Sequence, residues 1–149
     1  DFSKATAITM YLLPHLNLKL RPTILGLKPG TRVVSHAFTM GEWNADQTVE
    51  QESRTAYLWI VPANVDGTWT CQLPSGRAEL HLTQQFQDAQ GTLKLNGKEF
   101  TLSSVKLQGS QIHFVADTGS YSGVVNGKTI QGTLTAGGSE EKWSAERAQ

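Results

Sequence analysis

Side chains able to do acid–base or nucleophilic chemistry are sparse in this sequence. His36 follows Ser35 in a strand-like run, Arg32-Val33-Val34-Ser35-His36-Ala37-Phe38. Neighbours on a strand point to opposite faces, so this Ser and His cannot form a nucleophile–base pair. Alone, an imidazole that titrates near neutrality suits a general base taking a proton from a bound substrate. The plainer alternative is a partly buried histidine with its hydrogen bonds made.

His15, His81 and His113 are far apart and lack carboxylates at ligand spacing, which argues against a metal site. Glu42, Asp46, Glu140 and Glu141 read as solvated charges. No Ser-His-Asp set can be nominated, because such triads are defined in space and not by spacing. Cys71 is the single cysteine, so an intramolecular disulfide and a cysteine metal cluster are excluded. With no cationic neighbour to activate its thiol, it reads as a small buried apolar residue. The run from Gly123 to Thr129 looks like a phosphate loop but is one residue short, and it falls on a hairpin instead of a strand-to-helix turn.

The elements that must position these groups fall into two rhythms. From Ala5 to Leu12 the chain is rich in Thr, Ile, Met and Tyr and apolar on nearly both faces, as suits a buried parallel strand. Beyond Pro14, Leu16, Leu20, Ile24 and Leu27 recur at helical spacing. Pro22 interrupts that stripe, predicting a kink or a second short helix, and Lys28-Pro29-Gly30 ends it. Val33 and Val34 then begin another strand, making a βαβ unit with parallel strands joined right-handedly. A strand, helix and strand at the start of the chain cannot cover their own sheet faces, so they read as the later half of a domain.

From Arg54 the period changes to two. Tyr57 to Val61 is a strong strand, and short strands follow to Glu146, separated by turns that include Asn96-Gly97 and Asn126-Gly127. Two-residue loops there would place Leu93 opposite Phe100, Lys94 opposite Glu99, Gly123 opposite Ile130 and Tyr121 opposite Gly132. The sequence thus predicts an α+β chain. Residues 1–53 form a partial doubly wound, Rossmann-like segment, and residues 54–149 an antiparallel barrel or sandwich of about eight strands.

Composition narrows the function classes. The chain is 38% hydrophobic and 17% charged, ordinary for a folded protein. Its 13 basic and 13 acidic residues cancel without a basic cluster, which gives no support for nucleic-acid or anionic-membrane partners. No apolar run approaches the ~20 residues of a membrane-spanning helix. A soluble protein is the resulting expectation, with its compartment left open.

The runs Ser3-Lys-Ala-Thr-Ala-Ile-Thr-Met-Tyr-Leu-Leu-Pro14, Leu27-Lys-Pro-Gly-Thr-Arg-Val-Val-Ser-His-Ala-Phe38 and Met40-Gly-Glu-Trp43 resemble the later half of a class I S-adenosylmethionine-dependent methyltransferase domain. The likeness continues more weakly through Tyr57 to Trp69 into the β-rich tail of a bacterial subgroup. It implies that Tyr11, Leu12, Leu13 and Pro14 close the fourth strand of a doubly wound sheet, beside donor and acceptor, with His36 on the fifth strand. Tyr11 and Pro14 would then shape an acceptor pocket or, more simply, pack a strand-to-helix turn. Trp43 would line the pocket mouth or cover a seam between the two regions.

The resemblance implies S-adenosylmethionine as cofactor and an unidentified methyl acceptor, either a protein lysine or a small molecule. The family's glycine-rich donor loop and ribose-holding acidic residue have no counterpart here. The chain is therefore expected to be inactive alone, as the carboxy-terminal part of its parent enzyme. Methyl transfer rests chiefly on positioning, so a sparse catalytic inventory fits it. Two alternatives concern the β region: a barrel that holds an apolar ligand, or a structural or dimerisation module.

Overall fold

Edge and centre positions in the first sheet follow from how many neighbours each strand finds. The computed structural model describes residues 1–148, and the chain divides into two units, Asp1–Pro62 and Ala63–Gln149. The first contains β1 (Ala7–Met10), α1 (Pro14–Leu25), β2 (Arg32–His36), β3 (Gln47–Gln51) and β4 (Arg54–Ile60). Their sheet order is β1-β2-β4-β3, with β1 parallel to β2 and the other pairs antiparallel.

The predicted βαβ unit is present, but β1 has a partner on one side only and buries just Met10. It is an edge strand, not the fully buried strand its composition suggests. The strand at Tyr57 also sits differently from its predicted place. Tyr57 pairs with Ser35 on one side and Thr48 on the other, so this strand completes the first sheet instead of opening the β-rich region. The division between units accordingly falls after Pro62 and not at Arg54.

The helix α1 is one element running through Pro22, with Pro14 in its first turn, where a missing N–H costs nothing. Asn17 and Ile24 form its buried line, while Leu16 and Leu18 are exposed. The inner face is therefore rotated from the Leu16-Leu20-Ile24 stripe that spacing alone suggested. Ile24 packs in a core with Val33, Met40, Trp43, Trp59 and Val61, all without accessible surface.

The second unit contains nine strands: β5 (Gly67–Leu73), β6 (Gly76–Gln85), β7 (Asp88–Leu95), β8 (Lys98–Thr101), β9 (Ser103–Gln108), β10 (Gln111–Ala116), β11 (Gly119–Asn126), β12 (Thr129–Ala136) and β13 (Ser139–Arg147). Their order is β8-β7-β6-β5-β13-β12-β11-β10-β9, antiparallel throughout. The two ends of that order, β8 and β9, are separated in sequence only by Leu102, whose N–H donates to the Gly91 carbonyl at 3.0 Å. The sheet thus curls back on itself as a nearly closed barrel, which protects edges that would otherwise invite pairing. Counting β8 and β9 as one bent strand gives the eight that the sequence implied, and the fold class is α+β.

Inward side chains alternate strictly, as Ala78, Leu80 and Leu82 do along β6. They meet around three packed rings: Phe114 stacks on Tyr121 at 4.8 Å between centroids, and Trp143 stands edge-on to both.

One of the two predicted hairpin registers holds. Asn96 and Gly97 both have positive φ, a type I′ turn, and set Leu93 opposite Phe100 and Lys94 opposite Glu99. At the second hairpin only Gly127 has positive φ, and the loop residues are Gly127 and Lys128. A glycine that begins the turn selects the type II′ geometry, and Asn126 stays in the ladder opposite Thr129. Gly123 therefore faces Gly132, and Tyr121 faces Leu134.

Candidate functional site

In the first unit, the carboxyl ends of parallel strands β1 and β2 lie side by side, with Met10 paired to Ser35. The next residue on each strand carries a ring. Tyr11 and His36 stack face to face, with centroids 4.1 Å apart and planes 2° from parallel. Tyr11 is 77% exposed and His36 half-buried, so one face of the phenol lies on the imidazole while the residue as a whole stays open to solvent. Leu12 is half-buried, and Leu13 and Pro14 are exposed where the chain turns into α1.

His36 also borders a cleft of about 350 Å³ whose other walls are the β3–β4 hairpin, including Val49, Gln51, Glu52 and Arg54. That hairpin turns on Glu52 and Ser53, both in the left-handed region at φ 51° and 65°. Ala37 is left-handed too, at φ 72°, and its N–H donates to the Thr55 carbonyl at 2.8 Å. Left-handed non-glycine residues cost of order 1 kcal/mol each, and of these three Glu52 lines the cleft beside His36.

Ser35 faces inward and is fully buried, as the strand alternation demanded. Its hydroxyl donates to the Phe38 carbonyl at 2.7 Å and accepts from Asn17 Nδ2 at 3.1 Å. The same Asn17 amide donates to the carbonyls of Phe38 and Thr39, and Arg21 donates to that of Met40. Together these bonds pin the segment following His36 to the inner face of α1. Asn17 escaped the sequence reading because it sits among leucines that suggested an apolar stripe. The available signal was a polar residue one helical turn from Arg21 and two from Ile24.

Trp43 is fully buried and does not stand at the mouth of an open cleft. Its carbonyl accepts the Trp59 indole N–H at 2.8 Å, and the two rings are tilted at 6.1 Å within the first unit's core. Asp46 is more than a solvated charge, since its carboxylate accepts the Ile60 N–H at 2.7 Å and anchors the entry to β3. His81 is held by the Thr68 hydroxyl and the Glu79 carboxylate, and His113 by the Ser122 hydroxyl. Among the described residues no group of three or more His, Cys, Asp or Glu could hold a metal ion. No helix among them is long and apolar enough to cross a membrane.

The strand-to-helix turn between β1 and α1 is not built as a glycine-rich cradle for a nucleoside. The strand-to-helix turn from Met10 to Pro14 contains no glycine, begins its helix on proline and has no acidic residue in the first helical turn. Backbone amides cannot converge there on a bound nucleoside, as they do in glycine-rich turns of doubly wound sheets.

No protein-family model matches the chain. A protein-lysine N-methyltransferase of Saccharolobus islandicus (strain REY15A) is 42% identical over 66 residues, covering 41% of this chain and 41% of that protein. An RNA methyltransferase from Salinibacter ruber, solved in complex with S-adenosyl-L-homocysteine, is 52% identical, covering 44% of this chain and 43% of that one at a TM-score of 0.42. The chain spans about two fifths of the length of these relatives. Over a similar share of its own length the chain is therefore similar to a methyltransferase, in keeping with the resemblance of its motifs.

Proposed function

We propose that the first unit is the acceptor-side part of a class I S-adenosylmethionine-dependent methyltransferase, and that Tyr11 and His36 form a wall of its acceptor site. The observation that carries this reading is their face-to-face stack at the carboxyl ends of adjacent parallel strands. Ligands of open α/β sheets gather at that end of the strands. The matched length of 66 residues is close to that of the first unit, Asp1–Pro62, which supports assigning the likeness to it.

S-adenosylmethionine is the methyl donor in this reading, held elsewhere than on the Met10–Pro14 turn. The exposed ring of Tyr11 gives an acceptor a flat, electron-rich surface, which suits the side chain of a lysine. Methylation of an amine releases a proton, and in this reading the His36 imidazole, stacked on Tyr11, receives it. The curated relative's name favours protein lysine as the acceptor.

The test is methyl transfer from radiolabelled donor, using the gene product that carries this chain, to cellular protein and to total RNA. Tyr11→Ala should raise the acceptor KM about tenfold, with Tyr11→Phe close to the parent. His36→Asn should lower kcat with little change in the acceptor KM. Parent-like kinetics in both variants would remove the site assignment, and failure to label any acceptor would remove the methyltransferase reading itself.

A further inference from the structure

The outer face of the barrel carries a trough that its strand register builds. One wall is a row of directly paired residues crossing five strands: Lys106, His113, Ser122, Thr133 and Lys142. The other wall lies two residues along each strand and consists of Gln108, Gln111, Val124, Gln131 and Ser144. Between them the row Ile112, Gly123, Gly132 and Trp143 belongs to the opposite face, so backbone forms the floor. Two hollows of about 460 and 520 Å³ follow this line and share Gln131 and Gly132.

The chemistry of the walls selects an occupant. A lysine stands at each end of the first wall, and no residue lining either hollow carries a carboxylate. The glutamine side chains offer both donors and acceptors, matching a peptide backbone. Val124, 54% exposed at mid-trough, gives an apolar contact. Single-stranded nucleic acid would need aromatic platforms, yet Trp69, Phe114, Tyr121 and Trp143 are buried, and Phe86 and Phe100 half-buried.

We propose that this trough docks an extended acidic segment of a protein partner, with carboxylates on Lys106 and Lys142. Four strand spacings separate the lysines by about 19 Å, and an extended chain covers that distance in about six residues. The inference rests on the barrel alone and holds whether or not the first unit serves methyl transfer.

Fluorescence anisotropy on the whole chain provides the test, with a labelled peptide bearing two glutamates about six residues apart in a Ser/Gln background. Saturable binding is expected, with the glutamine-for-glutamate peptide about tenfold weaker. Each of Lys106→Gln and Lys142→Gln should weaken binding roughly threefold, and the pair about tenfold, as partly exposed ion pairs do. Circular dichroism would establish that the variants keep the parent fold, and Val124→Glu gives a second, independent block. Equal binding of the two peptides, parental affinity in the double lysine variant, tighter binding of a labelled uridine oligonucleotide, or no saturable binding of any probe would each overturn the proposal.

Discussion

Gly132 lies directly opposite Gly123 across β11 and β12, and neither position has room for a side chain. A Cβ on Gly132 would collide with the Ser122 carbonyl, and one on Gly123 would come within 3.1 Å of the Trp143 ring. The Trp143 indole N–H bonds the carbonyls of both Ser122 and Thr133, so the ring fills the bend that the paired glycines create. Forcing a methyl group into this contact belongs with overpacking, costing about 2–3 kcal/mol. Gly132→Ala should therefore lower the melting temperature of the second unit by roughly 10–20 °C. Gly127→Ala meets only open space and loses just the ease of its positive φ, about 1 kcal/mol. Thermal melts followed by tryptophan fluorescence compare the two, and equal shifts would contradict the close-packed bend.

Cys71 turns burial into a pH dependence. Removal from water pushes its thiol up to about 12. Below the ordinary thiol range both folded and unfolded chains hold the proton, and this contribution to stability is fully present. As pH rises from about 9 toward 12 the unfolded thiol ionises first, so stability falls, by up to about 1.4 kcal/mol per pH unit. Burial raises the Tyr121 phenol as well, against the opposing effect of its Thr118 hydrogen bond, and adds loss of the same sign at higher pH. Urea titrations between pH 8 and 11 should show this decline, and Cys71→Ala should make it shallower, whatever the cavity costs at neutral pH. An unchanged slope in the variant would mean that the thiol is not desolvated.

The alternation of apolar residues made the barrel legible, and its limits explain the misplacements. At Asn96-Gly97 the dipeptide dictates the turn and the register follows. At Asn126-Gly127 a shift of two residues leaves every side chain on its original face, so the pattern cannot distinguish the two registers. Ser103 to Gln108 passed unread as a strand because Ser103, Ser104, Lys106 and Gln108 outnumber its apolar Val105 and Leu107. Tyr57 to Val61 showed its strand character but not its partners, which are set by non-local pairing. For the same reason Tyr11 and His36 could be named individually, whereas their stack depends on the parallel register of β1 and β2. The role of Asn17 is likewise spatial, since its bonds reach residues 18 to 22 positions away.

Donor binding by the chain has a direct measurement. Pro14 has no N–H, and the turn before it has no glycine, so the Met10–Pro14 turn offers S-adenosylmethionine no converging amides. Calorimetric titration of the chain with S-adenosylmethionine should give no saturable heat. Micromolar affinity would show that another surface of the chain binds the donor.

The two units should differ in how often they open. In the first, β1 buries one residue and the edge strand β3 buries none, so the outermost backbone bonds of that sheet are easily reached by water. In the second, the barrel's edges run into one another at Leu102, and a core including Trp69, Leu80, Phe114, Tyr121, Ile130 and Trp143 lies beneath most strands. Local opening takes less free energy where few apolar contacts break with the hydrogen bonds. Native-state amide exchange should accordingly be at least about tenfold faster over residues 1–46 than over residues 77–134, a gap of roughly 1.4 kcal/mol in opening free energy. The fastest sheet amides are expected in β3, whose five residues are all exposed, and the slowest in β6 and β12, each paired with a strand on both sides. Equal protection in β3 and β6 would show that the first sheet's edge is covered by contacts beyond those of its own unit.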